Sequence, residues 1–237
     1  MQKRQAAPLL GFFGGSSVCA RSSVPVTSLI LPKIPACSRE FARNCTKGAP
    51  IAQPTSACIA ILAAAAELIA TSGTGAPTAS IAKAAGVAEG TLFTYFATKD
   101  DLLNQLFLEI ETDLAQTMAA YPAKGGSRER IRHIWDRLID WGAANPTWRK
   151  VLRQLKVSGR ITAESRRRGN ALFRESRELV EQSMAGHVDP ERMSFYVDTV
   201  LIGLADMTID AMAASPKKQH EHLKRAGFDL YWKGTAA

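Results

Sequence analysis

From Ser56 onward the apolar residues recur at three- and four-residue steps, the spacing that lines one face of a helix. Ile59, Leu62, Ala66 and Ile69 set this step for a first helix, which Thr55 or Ser56 can cap after Pro54 and which Ser72-Gly73 ends. Gly75 and Pro77 then turn the chain. Thr78 is expected to cap a very short helix, Ala79 to Ala85, with Ile81 and Ala82 inward and Gly86 as its stop. A third helix opens at Ala88-Glu89-Gly90 and runs through Phe96, and Leu92 and Phe96, at four-residue spacing, supply its inner face. Helices this short are marginal alone. The pattern therefore predicts two short helices about a glycine turn, supported by a longer one: a helix-turn-helix.

Further along, Thr98 and Asp101 have the spacing of a capping box for a long fourth helix. Leu103, Leu106, Phe107, Ile110, Leu114 and Met118 keep its period until Tyr121-Pro122 and Gly125-Gly126 break it. Ser127 starts a fifth helix burying Ile131, Ile134, Trp135 and Leu138 up to Asn145-Pro146, and a sixth carries Trp148, Val151, Leu152 and Leu155. Thr162 opens a seventh, expected to run on to about Met184. Asp189-Pro190-Glu191 starts an eighth with a cap, a proline in the first turn and an acid facing the helix dipole. A ninth spans about Gln219 to Trp232. Nothing here alternates with strand period, so the fold class is all-α.

Residues 1–50 differ in kind. They are rich in Gly, Pro and Ser, lack helical period, and read as a disordered or misannotated extension. Lys3 and Arg4 before Leu9-Leu10-Gly11-Phe12-Phe13 imitate a secretory signal, but Pro8 and Gly11 interrupt a short apolar core, and a true start near Val24 or Val26 is an alternative. Charge is concentrated there too: seven basic side chains against Glu40 account for +6 of the formal +8, leaving +2 for the rest. Between residues 51 and 101 only Lys83 and Lys99 stand against Glu67, Glu89, Asp100 and Asp101, so global charge is no evidence for DNA binding. Cys19, Cys37, Cys45 and Cys58 show neither a C-x-x-C pair nor a nearby histidine, which argues against a disulfide framework or zinc site and suits a reducing cytoplasm. No apolar run approaches the roughly 18 residues of a membrane span. The expectation is a soluble cytoplasmic protein without membrane attachment, metal or cofactor.

With Leu92 and Phe96 inward, the third helix presents Thr91, Phe93, Thr94 and Tyr95, hydroxyls and aromatic edges able to approach thymine methyls and phosphates in a major groove. The Thr78 hydroxyl is expected to point toward a phosphate, Lys99 to neutralise another, and Glu89 can accept a hydrogen bond from cytosine N4. The ordered run from Thr78 to Lys99, TASIAKAAGVAEGTLFTYFATK, closely resembles the signature of TetR/AcrR regulators, and the resemblance covers Thr55 to Leu103. It implies a dimeric repressor whose third helix enters the major groove and whose C-terminal domain binds a small inducer. Residues 51–100 would be the DNA-binding domain and residues 101–237 the effector-binding and dimerisation domain. The family's DNA contacts carry over to Thr78, Ser80, Gly90, Thr91, Phe93, Thr94, Tyr95 and Lys99. Three positions depart from the family pattern: Pro54-Thr55-Ser56-Ala57 lacks basic residues, Glu89 stands where Lys or Gln is common, and Phe93 replaces a tyrosine. Each weakens phosphate contact. A helical small-molecule-binding or scaffolding dimer that has lost DNA binding is the competing reading.

In the C-terminal part, Phe107, Met118, Trp135, Trp141, Trp148, Phe173 and Met207 are candidates to line an effector cavity, though such residues equally build a plain core. The eighth helix is apolar on more than one side. Val197, Val200, Leu201, Leu204, Thr208 and Ala211 are its candidates for a homodimer interface, formed with the ninth helix. Fourteen basic against five acidic residues between Arg128 and Arg177 leave an anionic effector open, while Arg166-Arg167-Arg168 read as a solvated face. Asp206 and Asp210 share a helix face and are expected to meet bases or water. His133 and His187 stand alone, His220-x-His222 has no acidic or cysteine partner at ligand spacing, and no nucleophile motif or phosphate loop occurs. No catalysis is expected.

Overall fold

Short helices built around alanine and β-branched residues open the fold in the computed structural model, which describes residues 56–119 and 125–237. The expectations for residues 1–50 and their three cysteines, for a cap at Thr55 and for a break at Tyr121-Pro122 lie outside the described residues. Helix α1 (Ser56–Ser72) buries Cys58, Ile61, Leu62, Ala65, Ala66 and Ile69, a broader face than the expected stripe, because its alanines let neighbours approach from several sides. Gly73, at φ +79°, takes the left-handed conformation that ends it. Helix α2 (Thr78–Ala84) buries Ile81 and Ala82, and helix α3 (Glu89–Tyr95) buries Leu92. Gly86, at φ +71°, turns the chain between them while Val87 N–H donates to Ala82 O at 3.0 Å, a left-handed stop that a Cβ would strain.

Helix α4 (Lys99–Met118) begins with the expected capping box: Thr98 Oγ1 accepts from Asp101 N, and Asp101 Oδ2 accepts from Thr98 N. It packs on α1 near its start and on the C-terminal helices along its length, so Leu102, Leu103, Leu106 and Ile110 belong to one continuous core. Helices α5 (Ser127–Ala144) and α6 (Pro146–Val157) follow, with Pro146 in the first turn of α6. The expected seventh helix is two: α7 (Ala163–Leu172) and α8 (Arg174–Met184) part at Phe173. No Gly or Pro marks that break. It arises because α7 packs on α4 whereas α8 packs on α5, two surfaces that one straight helix cannot follow.

After Asp189, whose carboxylate caps a 3-10 turn at Pro190–Arg192, come α9 (Met193–Phe195), a π-helical turn at Tyr196–Val200, and α10 (Leu201–Ala213). Helix α11 (His220–Gly234) closes the fold against α10 and α5. At this junction Trp135 donates its indole N–H to Lys224 O at 2.9 Å and packs among Phe228 and Tyr231. Gly227 lets α11 come this close. Asp206 and Asp210 do meet bases: Arg149 on α6 pairs with both, and Arg153 reaches Asp210 at 3.1 Å. The Arg149 hydrogen bond holds Asp210 below the usual carboxylate range. Among the described residues there is no β-strand, and no helix is long and apolar enough to cross a membrane.

Candidate nucleic-acid interface

Because Leu92 is fully buried and Phe96 nearly so, the short α3 is anchored by one side and its other side faces solvent. Glu89, Gly90, Phe93 and Thr94 lie on that open side, Phe93 with 43% of its surface exposed. Its ring is thus accessible to a partner that meets this side of the helix. Thr91 and Tyr95 flank it half-buried, Tyr95 packing against the core, and Ser80 on α2 is exposed beside the turn. The Thr94 hydroxyl is engaged by its own helix, donating to Gly90 O at 3.1 Å.

Thr78 departs from its expected place as a cap, and its hydroxyl meets Glu89. Thr78 does not cap α2: Pro77, fixed at φ −66° and ψ 140°, takes the extended cap position, so Thr78 is the first helical residue. Its hydroxyl donates instead to Glu89 Oε1 at 2.8 Å, tying the start of α2 to the start of α3. The carboxylate considered for cytosine and the hydroxyl considered for phosphate satisfy each other in the free protein. Lys99, half-buried at the start of α4, has its pKa lowered, first by burial and then by the charge of Arg160.

The helix-turn-helix lies within residues 61–106, which match the family model for bacterial regulatory proteins of the tetR family. In this segment the chain is similar to regulators of the TetR family. The chain is 37% identical over 78 residues to the HTH-type transcriptional regulator BetI of Stenotrophomonas maltophilia, a match covering 32% of this chain and 40% of that relative. A TetR-family transcription regulator from Shewanella sp. PV-4 has the same fold, with TM-score 0.68 and 27% identity over 76% of this chain and 98% of the other. The regulator FadR from Bacillus subtilis, solved in complex with stearoyl-CoA, shares the fold at TM-score 0.59 and 22% identity, covering 74% of this chain and 98% of FadR.

Most of the effector-pocket candidates lie inside the helical core. Phe107 sits under Gly169 of α7, Trp141 donates to Asp113 Oδ2 at 2.8 Å, and Trp135 belongs to the junction with α11. Met118 and Trp148 are buried and Phe173 is half-buried in the core. Met207 does not line the interior as expected: it is 68% exposed, because α10 turns it outward. The interface candidates divide likewise. Val197, Leu201 and Thr208 are buried within the protomer, and Val200 and Leu204 are half-buried against its core. Apolarity on two sides of the run does not tell which side is inward. Phe195, Ile202, Met207 and Ala211 along the run are exposed, as is Leu230 of α11.

Proposed function

We propose that this protein is a ligand-responsive transcriptional repressor of the TetR family that binds a roughly palindromic operator as a homodimer in the cytoplasm. The observation that carries this reading is the exposed edge of α3, where Gly90, Phe93 and Thr94 lie at the surface of a short helix that the buried Leu92 holds in place. Residues 51–100 would read the DNA, with Thr78, Ser80, Glu89, Thr91, Tyr95 and Lys99 around that edge. Residues 101–237 would bind the effector and dimerise. The outward apolar side chains of α9, α10 and α11 support a second copy as the occupant of that face. FadR holding stearoyl-CoA supports a small-molecule site within the helical part of this fold. Recognition helices about 35 Å apart would then meet successive major grooves, and an effector that favours another spacing would lower affinity.

A gel-shift titration with the duplex upstream of the protein's own gene, against a scrambled duplex of equal length, tests this. Tight binding to the first alone, weakened at least tenfold by Phe93→Ala, is the expected result. Equal, weak binding to both duplexes that Phe93→Ala leaves unchanged would overturn the reading in favour of a helical dimer without DNA activity.

A further inference from the structure

Few cations lie in the helix-turn-helix itself, and the structure brings another to it from far along the chain. The loop between α6 and α7 is fastened to the beginning of α4 by Asn104. Its side-chain amide donates to Arg160 O at 3.0 Å and to Asp100 O at 2.8 Å, and its Oδ1 accepts from Thr162 N at 2.9 Å. Buried Ile161 anchors the loop from below, and Gly159, at φ +70°, makes its turn. Thus fastened, Arg160 reaches Asp100 Oδ1 at 2.7 Å with 42% of its side chain still exposed. The guanidinium offers five N–H donors, so one carboxylate contact leaves others for an anion.

We infer that Arg160 is part of the DNA interface: beside Lys99 it cancels the repulsion of Asp100 and supplies a phosphate contact that the helix-turn-helix motif does not itself contain. The inference rests on the operator-binding reading above. Other neighbouring charges are engaged locally: Asp101 in the cap with Thr98, Lys156 with buried Glu111, and Arg167 with Glu164. Arg160 is close enough to Lys99 to depress its pKa, which places the two cations in one field. In the free protein such neighbours repel, and a phosphate between them relieves that repulsion.

The test is fluorescence anisotropy of the full chain on the upstream duplex across a salt series. Each neutralised phosphate adds about 0.9 to the negative slope of log K against log salt. Arg160→Gln removes the charge but keeps the backbone carbonyl that Asn104 holds, so the loop stays fastened. The expected result is a slope shallower by ~0.9 for each protomer's contact, restored by Arg160→Lys. Asp100→Asn is expected to strengthen binding. If the unaltered protein shows a salt-dependent slope and Arg160→Gln leaves it unchanged, Arg160 is only a strut between loop and helix and the inference is overturned. If the unaltered protein binds neither upstream nor scrambled duplex, the operator-binding reading falls, and this inference with it.

Discussion

At the scale of single residues, Glu89 sets the electrostatic character of the recognition edge. A carboxylate in the first turn of α3 is favoured by the helix dipole and accepts the Thr78 hydroxyl, so it stabilises the free protein. Toward DNA the same charge is unfavourable, because phosphate attraction supplies most of the sequence-independent affinity. Glu89→Gln keeps an acceptor for Thr78 and removes the charge. Binding to the scrambled duplex should therefore tighten several-fold at low salt, with the advantage shrinking as salt rises, as read by anisotropy. Unchanged affinity would place the carboxylate outside the reach of phosphate. The inward pair Leu92 and Phe96 was legible from their spacing alone, since a seven-residue helix has room for few anchors. The Thr78 to Glu89 bond was not, because the residues are eleven apart and only the folded turn between α2 and α3 brings them together. Arg160 was hidden for the same reason: nothing local to it indicates that its loop lies against α4.

Among elements, the helices whose ends carry chemical signals were the readable ones. The capping box at Thr98, Pro146 at the start of α6 and the Asp189 cap each satisfy or avoid an orphan backbone donor locally, so a short stretch of sequence suffices to see them. The break at Phe173 has no such signal and reflects two different packing surfaces. Gly227 shows the converse, a glycine inside a helix whose reason is the neighbour rather than the turn. A Cβ there would lie 2.5 Å from Thr208 Oγ1 and 2.7 Å from Trp135 Cζ2. Neither can easily yield, since Trp135 is fully buried and the Thr208 hydroxyl donates to Leu204 O at 2.8 Å. Although alanine is the better helix former, overpacking should outweigh propensity here. Gly227→Ala is expected to lower unfolding free energy by about 1–3 kcal/mol in urea titration. A gain in stability would show that α11 can withdraw from α5 and α10 without loss.

For the whole molecule, a short recognition helix with few cations would read an operator by pairing. One copy of α3 offers a small contact, whereas two copies held at a fixed spacing gain the effective concentration of a tethered second site, on the order of 100-fold or more. The face that would hold them is the outward side of α9, α10 and α11, where Phe195, Ile202, Met207 and Leu230 are exposed. That face is not isolated from the rest. Arg149 and Arg153 join α10 to α6 through Asp206 and Asp210, and the loop after α6 is fastened by Asn104 to the start of α4 beside Lys99. A change in how two copies meet would then reach the start of α4 along α6 and the loop after it, which carry both sets of contacts. Met207→Glu places a charge on the exposed face without touching the buried Leu201 or Thr208, so the protomer should keep its helicity and thermal stability as a fold. Sedimentation is expected to show a dimer for the unaltered chain and a monomer for the variant, because a carboxylate within an apolar contact is desolvated without a partner. Its affinity for the upstream duplex should fall on the order of 100-fold, while binding to a single half-site, which needs only one protomer, stays within a factor of about two of the unaltered chain's. Should the variant remain dimeric and bind the full site as before, the copies must meet through another face, and the effector would have to act on DNA binding by a route that bypasses α10.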